Sequence, residues 1–415
     1  MRQELDDIRW VRLSFVDVFG VGHSTLIPAE RFEDAVKLGE PFDGSALEGR
    51  ARLLETDMRL RPDPATLVRI GDGLARAVCN VLTYDGLAWP GDPRTALSSI
   101  VDELGDLGAD YTASVELEFY LLDGDGAPVD RGGYFDEAES AGTAVVRAAA
   151  DRLGALGAPV DACHHEAGPG QYEIDLAPRG AIALADAIVL TKQVVREVAS
   201  RSDMRATFMA RPFAGEPGSG LHVHQRVTGR FFGEDGSLDD DARAFVAGQL
   251  AHARGLCALA APTVNSYKRL QSGAEAPTAT VWAHVNRGAL IRISSYLGRD
   301  ASIEFRGADP SANPHLLLAG LLVAGASGLD AGLELAPPVE EDIEGFDPAG
   351  SDSVRFEPLP RDLDDALDAL MADDVLVDSL DRQLLGRLVD GRRAEAQAYR
   401  TQVTGWELDR YLDEA

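Results

Sequence analysis

The chain has 415 residues, enough to bury a core of ordinary size without disulfide or metal staples. Asp and Glu number 69 against 39 Lys and Arg, a formal charge of -30 that repels phosphate backbones and anionic membranes and so argues against nucleic-acid and membrane partners. All the basic residues except Lys37, Lys192 and Lys268 are arginines; this composition predicts a surface that stays hydrated in concentrated salt, an ordinary acidic protein being the plainer alternative.

Residues 8–28 alternate apolar and polar around Phe19-Gly20-Val21-Gly22, which predicts a β-hairpin. A short helix over 29–38, the turn-rich Phe42-Asp43-Gly44-Ser45 and strands near 67–70 and 77–82 follow. Trp89-Pro90-Gly91-Asp92-Pro93-Arg94 reads as a linker, so a small β-rich domain over 1–90 and a larger one over 91–415 are expected. In the larger part, helices are expected at 94–107, 137–156, 180–201, 241–260 and 312–329. Strands are expected at 111–122, 159–165, 171–176, 205–209, 220–227, 279–285, 289–295 and 302–306, with a loop at 262–278. A Pro-rich loop over 334–360 and a helical, acidic tail over 363–412 complete an α+β chain without internal repeats.

Cys79, Cys163 and Cys257 are odd in number and far apart, which fits a reducing compartment better than a zinc or redox pair. The charged stretch Met1 to Trp10 predicts no signal peptide, and the apolar run beginning at Leu316 is too short to span a bilayer, so a cytoplasmic protein with a buried helix there is expected.

The period of two in Ser114-Val115-Glu116-Leu117-Glu118-Phe119 puts Glu116 and Glu118 on one strand face, a pattern that a solvated strand in an acidic protein also produces. His164-His165-Glu166-Ala167-Gly168-Pro169-Gly170-Gln171-Tyr172-Glu173 is more pointed, because two carboxylates bracket a Gly-Pro-Gly turn able to aim them at one place. Gly218-Ser219-Gly220-Leu221-His222-Val223-His224 puts two imidazoles on one face behind a Gly-rich loop; a hydrogen-bonded structural pair is the alternative to a metal site. Arg269, Arg287, Arg292 and Arg306 then gather with Glu275 and Glu304 within about forty residues, and arginine forks suit carboxylate and phosphate oxygens. Carboxylates with one or two imidazoles form an oxygen-rich set suited to Mg²⁺ or Mn²⁺, so metal-assisted phosphoryl transfer is the expected chemistry. There is no P-loop: none of the three lysines is followed by Ser or Thr.

With Phe42-Asp43-Gly44-Ser45, Thr56-Asp57-Met58, Gly132-Gly133-Tyr134-Phe135, Asn265-Ser266-Tyr267-Lys268-Arg269-Leu270, Asn286-Arg287 and Ile303-Glu304-Phe305-Arg306 in the same order, the chain resembles the glutamine synthetase family over nearly its whole length. The resemblance implies a small β-grasp-like N-terminal domain, a catalytic domain with a curved antiparallel sheet flanked by helices, and a dodecamer with active sites between subunits. It implies an ATP-dependent glutamate–ammonia ligase working through γ-glutamyl phosphate with two divalent metals per site and room for a third. Residue by residue, Glu118, Glu166 and Glu173 match ligands of the first metal, and Glu116, His222 and Glu304 those of the second. Arg269 and Arg306 match the residues that hold glutamate, with Gly218 offering its backbone. Arg287 and Arg292 match those near the transferred phosphate, and His224, Arg292 and Arg299 lie toward the nucleotide. Asp43 of a neighbouring subunit, Tyr134, Glu166 and Glu275 match the ammonium pocket, Glu275 also being the flap residue.

Several positions depart from the family pattern: Ala46 for Ser, Pro217 for Asn, Arg226 for Ser, Arg211 for Lys and Ser302 for Arg. Ala46 and Pro217 motivate an alternative, a ligase joining glutamate to a polyamine or alkylamine. Ser302 motivates another, a catalytically weak regulatory paralogue. A zinc hydrolase on His222 and His224 leaves the arginines without a role. The loop after Ala336 has no Tyr, so control by adenylylation of that residue is not expected, whereas Arg52 matches an arginine tied to glutamine feedback in one subgroup.

Overall fold

The computed structural model describes residues 7–45, 57–137, 139–233, 236–271, 276–294, 301–340 and 356–414. The expected hairpin forms from β1 (Trp10–Val16) and β2 (Gly22–Pro28), turning at Gly20 with φ +78°. A 3-10 turn over Ala29–Arg31 leads into α1 (Phe32–Leu38), followed by β3 (Glu40–Asp43), β4 (Asp57–Pro62), β5 (Val68–Gly71) and β6 (Leu74–Leu82). These strands make one sheet in the order β2-β1-β6-β4-β3, with β5 also on β6. Val11, Leu13 and Phe15 pack beneath it with Phe32, Leu60 and Val81. The strand β3 replaces the turn expected at Phe42-Asp43, and β4 was not anticipated. Both are short strands, so pairing rather than composition defines them.

The second part begins with α2 (Pro93–Glu103), whose N-cap Asp92 accepts from the amides of Arg94 and Thr95 and which has Pro at its first position. Then come α3 (Asp106–Asp110), β7 (Tyr111–Leu122), α4 (Ala141–Ala155), β8 (Val160–His165), β9 (Gln171–Gly180), α5 (Ala181–Arg201), β10 (Arg205–Thr207) and β11 (Leu221–Val227). They are followed by α6 (Asp240–Ala251), α7 (Ala253–Ala260), α8 (Ser266–Arg269), β12 (Trp282–Ala283), β13 (Ile291–Ser294), β14 (Ser302–Phe305) and α9 (Pro314–Ala331). The tail forms α10 (Leu363–Met371), α11 (Asp374–Ser379), α12 (Arg382–Arg400) and α13 (Gly405–Tyr411).

The large sheet runs β12-β13-β14-β11-β7-β9-β8, with β10 also on β7. It is mixed, not wholly antiparallel as expected: β12 and β13 run parallel, as do β1 and β6 in the first sheet. The helix expected over 241–260 is two helices broken at His252, whose ring lies 2.7 Å from Asp373 Oδ2 and 2.9 Å from Ser327 Oγ. The long apolar helix α9 is buried in the core, as anticipated, and its N-cap Asn313 also donates to the carbonyls of Asp17 and Val18, tying α9 to the loop after β1.

Candidate active site

Alternation along β7 sends Val115, Leu117 and Phe119 into the core and turns Glu116 and Glu118 to the other face. Strand register then does what sequence spacing alone does not. Glu118 lies opposite Glu173 of β9, and His164 of β8 lies opposite Glu173 on its other side. Glu116 lies between Asp175 of β9 and His222 of β11. His224 faces Glu304 of β14, which faces Arg292 of β13.

The side chains meet. His222 Nδ1 is 2.9 Å from Glu116 and 3.9 Å from Glu304, and its Nε2 is 3.8 Å from Glu118. His224 Nε2 is 2.9 Å from Glu116, and its Nδ1 is 3.0 Å from Ser302 Oγ, which in turn pairs with Ser294 Oγ at 2.7 Å. Thus Ser302, a departure from the family pattern, buttresses the second imidazole. His164 lies 3.0 Å from Glu173 and 3.5 Å from Glu166. Glu118 accepts from Gln171 Nε2 at 3.1 Å and from the Gly220 amide at 2.9 Å.

Of the trio Glu116, His222 and Glu304, His222 lies near both carboxylates, but the close grouping around Glu116 and Glu304 is completed by His224 rather than His222. Of the other trio, Glu118 and Glu173 are cross-strand partners, while Glu166 joins Glu173 around His164. Among the described residues, three groups have ligand atoms within 4.8 Å of one another: Glu116–His224–Glu304, Glu116–Glu173–His222 and His164–Glu166–Glu173.

Electrostatics explain what this cluster lacks. Burial and the surrounding charges of Glu116, Glu118, Asp175 and Glu166 push Glu173 up to about 11. Burial and Glu116 push Asp175 up to about 6, and its Oδ1 is buried without a hydrogen-bond partner. Burial alone would raise Glu116, but its bonds to His222 and His224 outweigh that and hold it well below the usual carboxylate range. Burial opposes charge on His224, yet Glu116 and Glu304 raise it. Excess buried carboxylate with imidazole, partly unsatisfied, is a donor set that fits a divalent cation with oxygen-rich coordination.

Glu304 is fully buried between two arginines: Arg292 Nε donates to Oε2 at 2.5 Å and Arg306 Nη1 donates to Oε1. Arg306 Nε also donates to the Arg287 carbonyl at 2.9 Å. Arg269, lowered by burial, donates to the carbonyls of Ala308 and Arg306. The Gly218 carbonyl accepts from Gln171, and a side chain at Gly218 would meet Ala210 O and Arg269 at 2.7 Å. Tyr134 is half-exposed, hydrogen-bonds Arg287 and is raised by burial and by Glu166, and its ring lies edge-on to His164 at 5.7 Å.

Asp43 ends the edge strand β3 of the first sheet. It is exposed and is lowered by its hydrogen bonds with Ser45. Ala46, Arg52, Glu275 and Arg299 lie outside the described residues. Pro217 offers its carbonyl to Tyr120 Oη at 2.7 Å, and Arg211 donates to the Lys268 carbonyl. Nothing in the structure explains Arg226.

Three contributors were not assigned from the sequence. His164 and Asp175 were within reach: one begins the His-His-Glu motif, the other follows Glu173 by two on the same strand. Asp130 had no such signal. It accepts from the amides of Gly132 and Gly170, from Ser140 Oγ and from Tyr172 Oη, and lies 2.9 Å from His165, so it pins the segments carrying Tyr134, Glu166 and Glu173 to one another.

The family "Glutamine synthetase, catalytic domain" matches residues 90–411, and "Glutamine synthetase, beta-Grasp domain" matches 7–84. The glutamine synthetase of Halobacterium salinarum is 38% identical over 441 residues, covering 99% of this chain and 96% of its own. That of Methanococcus maripaludis is 35% identical over 431 residues, covering 98% and 97%. Among solved structures, GmaS in complex with ADP superposes with a TM-score of 0.86 at 30% identity, covering 99% of this chain and 98% of its own. Plasmodium falciparum glutamine synthetase gives 0.87 at 21% identity, covering 98% and 96%, a likeness of fold.

A β-grasp sheet joined to a catalytic domain whose main sheet gathers carboxylates, imidazoles and arginines defines an ATP-dependent ligase. The chain belongs to the glutamine synthetase family, and its class is glutamate–ammonia ligase. Enzymes of this family use divalent metals and act on glutamate, ATP and ammonia.

Proposed function

We propose that this chain makes glutamine in two steps: a glutamate γ-carboxylate oxygen attacks the γ-phosphorus of ATP, releasing ADP, and ammonia then attacks the acyl carbon, releasing phosphate. The observation that carries the assignment is the convergence of Glu116, Glu118, Glu173, His222 and Glu304 on one sheet face, bordered by Arg292 and Arg306. Glu118, Glu166 and Glu173 would hold one Mg²⁺ or Mn²⁺ and Glu116, His222 and Glu304 a second, with Glu116, His224 and Glu304 as a third set. Bound there, the metals supply positive charge against the phosphate oxygens.

The chain's own groups do the rest. Arg269 and Arg306 hold the carboxylates of glutamate, with the Gly218 backbone beside them. Arg287 and Arg292 offset the charge of the phosphoryl group in transfer. The family resemblance assigns His224, Arg292 and Arg299 to the nucleotide. Tyr134, Glu166 and Glu275 bind ammonium by accepting its N–H donors, and Asp43 takes its proton.

We assign Asp43, exposed on the edge strand of the first sheet, to the site of a neighbouring copy in a dodecamer with inter-subunit sites, as the family resemblance implies. We divide the chain at residues 90/91, after the β-grasp match over 7–84 and at the start of the catalytic-domain match over 90–411, and place it in the cytoplasm, where glutamate and ATP are available.

The test is phosphate release with ATP, glutamate and Mg²⁺ or Mn²⁺, comparing ammonia, methylamine and putrescine. Ammonia should give the highest kcat/KM. Preference for putrescine or methylamine assigns the chain to the amine-ligase alternative; no stimulation by any amine defeats the ligase assignment.

A further inference from the structure

We infer that the cavity between the two sheets is a binding site for a small multivalent anion bearing carboxylate or phosphate groups, held jointly by the first sheet and α5. The cavity encloses about 740 Å³, within the ordinary range for small-molecule sites. None of the proposed metal, glutamate or phosphate residues lines it.

Charge is the telling feature. In a chain with a net charge of -30, the walls carry Arg76, Arg94, Lys192 and Arg196 and a single carboxylate, Asp186. That carboxylate is already engaged: Arg94 lies 3.1 Å from it and His315 3.0 Å. Arg94 is further paired with Asp63 at 2.9 Å. The other three cations have no ion pair among the described residues.

Two of those three are nine-tenths buried or more. Arg76, on β6, is 5% exposed, and its Nε donates only to Ser14 Oγ at 3.2 Å. Lys192, on α5, is 9% exposed and reaches only the Ala312 carbonyl, at 3.4 Å. One turn further along α5, Arg196 places its guanidinium over the Phe208 ring at 4.9 Å toward the open side. Burial lowers Arg76 and brings Lys192 down to about 8, outweighing the charges of Asp186 near the first and Asp309 near the second, neither of which closes an ion pair with them.

Keeping unpaired charges in a low-dielectric wall is costly, and an anion that accepts from the guanidinium of Arg76, the ammonium of Lys192 and the guanidinium of Arg196 removes that cost. Because Arg76 comes from the first sheet and the other two from α5, a bound anion also links the two parts of the chain.

The test is isothermal titration calorimetry on the full-length, metal-free protein at fixed ionic strength. Inorganic phosphate is titrated in one arm and malonate in the other, so the phosphate and carboxylate sources are told apart. The wild type should bind at least one of them saturably. Arg196→Gln and Lys192→Met should each weaken that binding about tenfold or more, the loss expected when one charge-assisted contact is removed. Arg287→Ala, altered in the proposed catalytic site, should retain it. Should Lys192→Met fail to fold, Arg196→Gln, changed at the open side, decides alone. No saturable binding of either anion by the wild type, or unchanged affinity in the folded cavity variants, overturns the inference.

Discussion

Glu304 has no exposed surface, yet both its oxygens are engaged by guanidinium groups, so Arg292 and Arg306 hold in place a carboxylate that the proposed mechanism also uses for metal. Because Arg306 is also assigned to the glutamate carboxylates, Arg306→Ala should raise the KM for glutamate far more than that for ATP, by about 1.5–3 kcal/mol or roughly 10- to 150-fold. Equal increases for both substrates would contradict the assignment of Arg306 to glutamate. Asp186 gives a different kind of test, because it is tied to stability. Burial opposes its ionisation, but His315 and Arg94 outweigh burial and hold its carboxyl below the ordinary value. A depressed folded-state value means that its stabilisation is present above the unfolded value of about 3.9 and is lost as pH falls through the folded one. Asp186→Asn should cost about 1.5–3 kcal/mol at pH 7, since Arg94 keeps Asp63 but loses its second carboxylate, and the gap from wild type should narrow below about pH 4. Thermal unfolding followed across pH checks both the size and the slope.

Strands and turns decide how these groups meet, and here sequence and structure part company in instructive ways. The strand β7 was legible over its full length, 111–122, because its alternation is long and its apolar face is buried. The same alternation revealed Glu116 with Glu118, but not Glu118 with Glu173 or His224 with Glu304. Those pairs depend on register between strands far apart in sequence, which no local pattern encodes. The break in 241–260 was equally hidden: no Gly or Pro marks it, and His252 is instead engaged by Asp373 and Ser327 from distant elements. The Gly-Pro-Gly turn was readable because its residues have conformational meaning. Gly170 has φ +66°, and a Cβ there would lie 2.9 Å from the Leu121 carbonyl. Gly170→Ala should thus cost about 1–3 kcal/mol of stability. It should also weaken Mn²⁺ binding in a direct titration, since the turn carries Glu166 and Glu173; Mn²⁺ affinity equal to wild type would show that the turn does not set the ligand geometry.

Two further properties belong to the whole molecule: its 69 acidic against 39 basic residues, and the exposed place of Asp43 on the edge strand of the first sheet. The acidity was plain in the sequence; the place of Asp43 on an edge strand was not, because it depends on the order in which the first sheet pairs its strands. Like charges at this density repel less when screened, so sedimentation velocity should show a large oligomer in molar KCl and smaller species in dilute buffer, with activity following the oligomer. The same particle and the same activity at both salt concentrations would remove the salt-adapted reading. If the site works as a ligase through an acyl phosphate, one γ-carboxylate oxygen of glutamate must leave with the phosphate. Glutamate labelled with ¹⁸O in its γ-carboxylate, turned over with ATP, ammonia and Mg²⁺, should yield inorganic phosphate carrying one ¹⁸O for each glutamine formed. Glutamine accompanied by unlabelled phosphate, or no phosphate release that depends on both glutamate and an amine, would contradict it.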